Sequence, residues 1–171
     1  MPLLKNGLVT ADPWTAVADD AALPASGPVL VSHARWQAER LVLEARKAPL
    51  GIRLPNNLDM LAFGPDAGRF DLIVLDFPKF SDGRAYSQAR LLRERFGYRG
   101  ELRATGNVLR DQLRLMHRCG FDAYEFDSAD AAKIFAAALQ EFSAAYQPAT
   151  DGTVTALELR LRRLRKPEAA E

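Results

Sequence analysis

Leu72-Ile73-Val74-Leu75 is the stretch that decides the fold. Four apolar residues in a row, without polar alternation, describe a strand covered on both faces, as in the middle of a parallel sheet. Beyond it, Ser81 or Asp82 is placed to cap a helix whose apolar face is Ala85, Ala89, Leu92 and Phe96, and Gly97 ends that helix. Upstream, Gly51-Ile52-Arg53-Leu54-Pro55 is a second strand, followed by a weak helix around Leu58–Phe63. Further upstream, Val29-Leu30-Val31 precedes Ser32, which can cap a helix running to about Ala48, where Pro49 stops it. Downstream, Glu101 to Thr105 alternates as a strand. Asn107 can then cap a helix with Leu109, Leu113 and Met116 on its inner face. Ala123 to Phe126 is a fifth strand, and Ser128 precedes a helix carrying Phe135, Leu139, Phe142 and Tyr146.

This alternation predicts an α/β fold: an open, mostly parallel sheet of about five βα units covered by helices. A closed eight-unit barrel usually needs about 250 residues, so a barrel-like half is the alternative. Residues 1–27 read as an irregular N-terminal arm, with Asn6-Gly7, Asp12-Pro13 and Pro24 as turn signals and three weak short-strand patterns. Residues 28–147 form the α/β domain, and residues 148–171 a linker and basic C-terminal tail. Val154 to Arg165 fits either a strand (Leu157, Leu159, Leu161) or an amphipathic helix (Leu157, Leu161, Leu164). Its apolar side suits packing on its own domain or in a homodimer.

The chain has 171 residues, 48% of them hydrophobic and 26% charged, which suits one globular domain. No apolar run approaches the ~20 residues that span a bilayer. No signal-like block occupies Met1 to Val9, so a cytoplasmic protein without membrane contact is expected. The single Cys119 excludes an internal disulfide or a four-thiolate site within one chain. The formal charge of +1 hides a balance of −2 over residues 1–83, +6 over 84–118 and −3 over 119–171. Every basic residue of the middle block is Arg, whose planar fork suits oxyanions. Low net charge, with aromatics on core faces, speaks against nucleic acid. Glycine-rich nucleotide loops, nucleophile elbows and paired-Cys or His-rich metal motifs are absent, so no cofactor or metal is expected.

In open parallel sheets, ligands bind beyond the carboxyl ends of the strands. Two polar segments occupy that position, Asp76–Ser87 and Arg103–Gln112. Each joins a Gly, a helix start and at least one Arg, a combination suited to a small oxyanion. The candidate anion-binding residues are Lys79, Ser81, Arg84, Arg103, Thr105, Asn107 and Arg110. Asp76, Asp82 and His33 are the candidate acids and bases. The same residues have plain structural uses: Asp82 and Asn107 as caps, His33 as a first-turn residue, and the arginines as partners of nearby acids. Arg103, between Leu102 and Ala104, must meet either an internal carboxylate or a ligand, and Arg53, between Ile52 and Leu54, poses the same question.

Phe77-Pro78-Lys79-Phe80-Ser81-Asp82-Gly83-Arg84-Ala85-Tyr86-Ser87-Gln88-Ala89-Arg90-Leu91-Leu92-Arg93 and Gly100–Gln112 carry a more specific signal. They are joined by Arg53-Leu54-Pro55-Asn56, Arg118-Cys119-Gly120-Phe121-Asp122, Phe142-Ser143 and Tyr146-Gln147. Over residues 28–147 the chain resembles the bacterial domain of unknown function family 934, with Asn107 where many relatives carry Asp. The resemblance implies a setting: its members are typically encoded beside assimilatory sulfite reductase, and some are labelled oxidoreductases of sulfite reduction. It implies an accessory protein whose partner is sulfite reductase or another sulfate-assimilation enzyme, or which binds a small oxyanion. The alternative is an enzyme acting on a small anionic substrate, with Asp76 or Asp82 as acid or base.

Overall fold

A computed structural model describes residues 3–164. Five parallel strands form where the apolar runs lie: β4 (Val29–Ser32), β5 (Leu50–Leu54), β6 (Leu72–Phe77), β7 (Glu101–Gly106) and β8 (Ala123–Glu125). The arm supplies three more, β1 (Leu3–Lys5), β2 (Leu8–Thr10) and β3 (Thr15–Ala16). The sheet runs β2-β1-β8-β7-β6-β5-β4-β3. β1 is antiparallel to β2 and β8, while β3 is parallel to β4. The sheet therefore has eight strands among the described residues rather than five units, and its N-terminal segment is part of the sheet.

Seven α-helices are described: α1 (His33–Ala38), α2 (Arg40–Glu44), α3 (Met60–Phe63), α4 (Arg84–Arg90), α5 (Leu113–Arg118), α6 (Ala131–Gln140) and α7 (Ala156–Leu164). From β3 to β8 the strands lie side by side in chain order, so right-handed crossovers put every connecting helix on one face. The main core agrees. It joins Val31, Ile52, Leu54, Ile73, Leu75, Leu102, Ala104 and Tyr124 of the strands with Trp36, Leu43, Phe63, Ala89, Leu92, Met116 and Phe135 of the helical layer. The expected cover of helices is thus one-sided.

The single helix expected to run to Ala48 breaks at Glu39 into two. Ser32 caps the first, accepting a hydrogen bond from the Arg35 N–H at 3.0 Å. α4 begins after Gly83 with no side-chain cap on that residue and runs into a π-helical turn over Leu91–Arg95. Asn107 does not cap the next helix, because a 3-10 turn, Arg110–Gln112, intervenes. Of the two readings of the tail, the structure takes the helix, α7. Thr155 and Glu158 cap it reciprocally, and none of its side chains is buried. The rest of the C-terminal tail, beyond Leu164, lies outside the described residues. Among these, no helix is long and apolar enough to cross a membrane.

The second face of the sheet is crossed by a strap, residues 11–14, between β2 at one edge and β3 at the other. Five residue steps reach at most about 18 Å. A flat sheet would hold its first and eighth strands about 33 Å apart. The sheet must curl, and the strap lies across its hollow. Trp14 packs on Leu30, Leu72 and Val74. Gly51 makes room for it: a Cβ there would lie 3.1 Å from the Trp14 ring and 3.2 Å from Leu72.

Arg103, 1% exposed, ties the strap down from below. It donates to Asp12 at 2.7 and 3.0 Å and to Glu101 at 2.8 and 3.0 Å, with Glu125 at 3.6 Å. Lys5 binds Glu101 at 2.6 Å. Burial alone would raise the Asp12 pKa, but hydrogen bonds from Arg103 and the Trp14 N–H, with the Arg103 charge, leave it below its ordinary 3.8. Below that value the unfolded chain holds more protons at Asp12 than the folded one does. The strap's contribution is therefore complete above pH 3.8 and fades as pH falls through the folded value. Arg103→Met leaves three acids without their shared cation and is expected to cost about 3–5 kcal/mol in urea unfolding at neutral pH; a loss near zero would show that this network does not hold the sheet.

Candidate functional site

The parallel strands end at one rim of the curled sheet, and the candidate residues divide there into separate groups. Arg103 and Thr105 point into the hollow. Thr105 donates a short hydrogen bond to Glu125, and Arg103 is committed to Asp12 and Glu101. Two cations, Arg103 and Lys5, meet three carboxylates, so this cluster has no positive charge to spare for an anion.

Arg84 is exposed but folded onto Asp82 at 2.6 and 2.9 Å. The Asn56 amide donates to the same carboxylate at 2.6 Å. The Arg84 guanidinium holds Asp82 well below the usual carboxylate range, too weak a base to take a proton near neutrality. Arg110, also exposed, has Glu141 at 3.9 Å. Lys79 and Ser81 are exposed with no side-chain partner among the described residues. The Asn107 side chain is exposed, while its N–H donates to the Phe77 carbonyl at 2.7 Å. Arg84, Arg103 and Arg110 therefore serve separate sets of acids and do not converge on a shared point.

A different set converges. The carboxyl ends of β4, β5 and β6 open into a cavity of about 390 Å³ lined by Ser32, His33, Gln37, Arg53, Pro55 and Asp76. Strand register explains the grouping: Ser32 lies beside Arg53 and Arg53 beside Val74, with Asp76 two residues on, so the three side chains leave the same face. Arg53 is exposed, although Ile52 and Leu54 on either side are fully buried. It forms no ion pair within 4.0 Å among the described residues, and neither does Asp76. Gly106, at φ +89, leaves space for Asp76: a Cβ there would sit 2.8 Å from its Oδ1 and 2.5 Å from the Phe77 carbonyl oxygen.

His33 opens α1, with its ring edge-on to Phe63 at 6.0 Å between centroids. Burial pushes its pKa below the ordinary 6.5, so near neutrality the imidazole is uncharged. Ser32 is occupied: its hydroxyl donates to Asp19 at 2.7 Å and its oxygen caps α1. The cavity thus offers one unpaired guanidinium, one unpaired carboxylate, a neutral imidazole and the exposed Gln37 amide. Of the candidate acids and bases, the structure joins His33 and Asp76 and removes Asp82. Gln37 gave no signal in the sequence, whereas Arg53 did, as a charge between two buried apolar residues. Among the described residues, no three of His, Cys, Asp or Glu gather as a metal site would require.

A family profile described as a bacterial protein of unknown function, DUF934, matches residues 51–157. The chain belongs to the DUF934 family. No curated protein and no solved structure matches it significantly. The DUF934 match takes in Arg53, Asp76 and the whole of the Asp82–Arg84 loop, while His33 and the strap precede it. In this DUF934 protein, Arg84→Gln should move the Asp82 pKa back up toward 3.8, followed by carboxyl carbon NMR; an unmoved titration would mean that Arg84 does not hold it.

Proposed function

We propose that the chain is an accessory protein of assimilatory sulfite reduction that binds the anionic group of a small ligand at the carboxyl-end rim of its sheet. Arg53 carries this reading. An arginine rising from the middle of a strand, between two buried neighbours, stands unpaired in a cavity at the place where parallel sheets hold ligands. Elsewhere on the same face, Arg103 shows what an arginine does when acids are near. DUF934 membership is the reason for the sulfur-assimilation setting, with sulfite reductase or another enzyme of that route as the partner.

A second reading has its own observation. His33 and Asp76 line the cavity that Arg53 enters, so an anionic substrate held by Arg53 would lie within reach of a neutral imidazole and a carboxylate suited to proton transfer. On this reading, turnover of an anionic substrate falls with His33→Gln or Asp76→Asn while ligand binding through Arg53 persists; turnover unchanged in both variants would rule it out.

The binding reading is tested by thermal unfolding with sulfite, sulfate, phosphate and small carboxylates. At least one anion should raise the melting temperature of the wild type, Arg53→Ala should remove the shift, and Arg84→Ala should leave it. A flat response to every anion and to the free amino acids, whose carboxylate is equally suited to Arg53, or a shift that survives in Arg53→Ala, would overturn the assignment.

A further inference from the structure

The cavity beside Arg53 holds a second unsatisfied charge of opposite sign. Arg53 and Asp76 leave the same face of adjacent strands, offset by one strand and two residues, which separates their Cα atoms by about 8 Å. The arginine side chain is long enough to cross that distance. On the same sheet face, Arg103 and Asp12 do close into an ion pair at 2.7 Å. Arg53 and Asp76 instead stay more than 4.0 Å apart, both lining the 390 Å³ cavity.

The rest of the lining adds no charge. Ser32, Gln37 and Pro55 are neutral, and burial keeps the His33 imidazole neutral near pH 7. The lining carries one charge of each sign, and Asp19, hydrogen-bonded to Ser32, adds a negative charge at its margin, so the cavity is a poor host for a bare dianion, which would meet Asp76 as soon as it met Arg53. A ligand that carries both charges satisfies both groups at once. The Ser32 hydroxyl is already spent on Asp19 and the cap of α1, so it does not compete for the ligand's charged ends. The volume exceeds that of a small molecule with two charged groups on one carbon, leaving room for a short side chain near Gln37.

We propose that this cavity takes a zwitterionic ligand of amino-acid size, its carboxylate on the Arg53 guanidinium and its ammonium on the Asp76 carboxylate. The proposal rests on the reading that the Arg53 cavity is the binding site, and it sharpens the ligand from any anion to an amphoteric one.

The test is calorimetric titration of the full chain with the common L-amino acids. The N-acetyl and carboxamide derivatives of the tightest binder are then compared with it, and with inorganic sulfate and sulfite. The free amino acid should bind best. Removing either of its charges deletes one charge-assisted hydrogen-bonding group and should weaken binding about ten- to a hundredfold. Asp76→Asn should erase the preference for the free amine over the N-acetyl form, and Arg53→Gln the preference for the carboxylate over the amide. Both replaced side chains are at least partly solvent-exposed, and circular dichroism of each variant confirms its fold. If the N-acetyl form or sulfate binds as tightly as the free amino acid and Arg53→Gln abolishes this binding, the zwitterion is wrong while the anion site stands. If no amino acid and no anion binds, both readings fall.

Discussion

A four-residue crossing constrains everything else in this fold. Residues 11–14 must link strands at opposite edges of an eight-stranded sheet, and the chain is too short to do so unless the sheet curls. Curling leaves a hollow without helices, and the strap fills its middle with Trp14 and pins its flank with the Asp12–Arg103 pair. What the strap leaves open is the rim at β4 to β6. The cavity is there because the strap passes across Gly51 and Val74 and not across Arg53 and Asp76, the next inward positions along β5 and β6.

The two strand arginines show how the same local sequence leads to different ends. Each lies between two buried apolar residues and each points inward. Arg103 sits where β7 meets the strap, with Asp12 above, Glu101 two residues back and Glu125 across on the next strand. Such a group is held by mutual neutralisation, and losing the buried Arg103 would leave the buried Glu101 with Lys5 alone and Asp12 with no cation. Arg53 sits beside Ser32 and Val74, neither of which can neutralise it. Its charge is answered by solvent, or by whatever enters the cavity.

These contrasts also explain what could be read from the chain alone. The parallel strands announce themselves because Val29-Leu30-Val31, Ile52 and Leu72–Leu75 are apolar where a covered sheet demands it. β1 to β3 are two or three residues long; β1 and β2 form a hairpin at the Asn6-Gly7 turn signal, but its docking on β8, Leu4 beside Tyr124, joins distant parts of the chain that no local pattern connects. Arg103 could be flagged as needing a partner, and an internal acid was one of its two readings. That the acid is Asp12, 91 residues away, depends on the curl. The grouping of Arg84, Arg103 and Arg110 reflected their nearness along the chain. The sheet pleat turns Arg103 inward, and Asp82 claims Arg84. His33, Arg53 and Asp76 are spread over 44 residues, and only the in-register pairing of β4, β5 and β6 assembles them.

The edge-to-edge crossing has a kinetic corollary. β4 to β8 can grow as successive neighbouring strand–helix units, each docking on the one before it. β1 and β2 can pair at once as a hairpin, but that hairpin has no place in the sheet until β8 exists, and the Lys5–Glu101 bond spans 96 residues. Contacts of such long sequence separation are slow to form, since the intervening loop must close before they are rewarded. During synthesis the β1–β2 hairpin and the strap therefore leave the ribosome well before the strands they close over, and until those are made the hollow of the sheet stays uncovered.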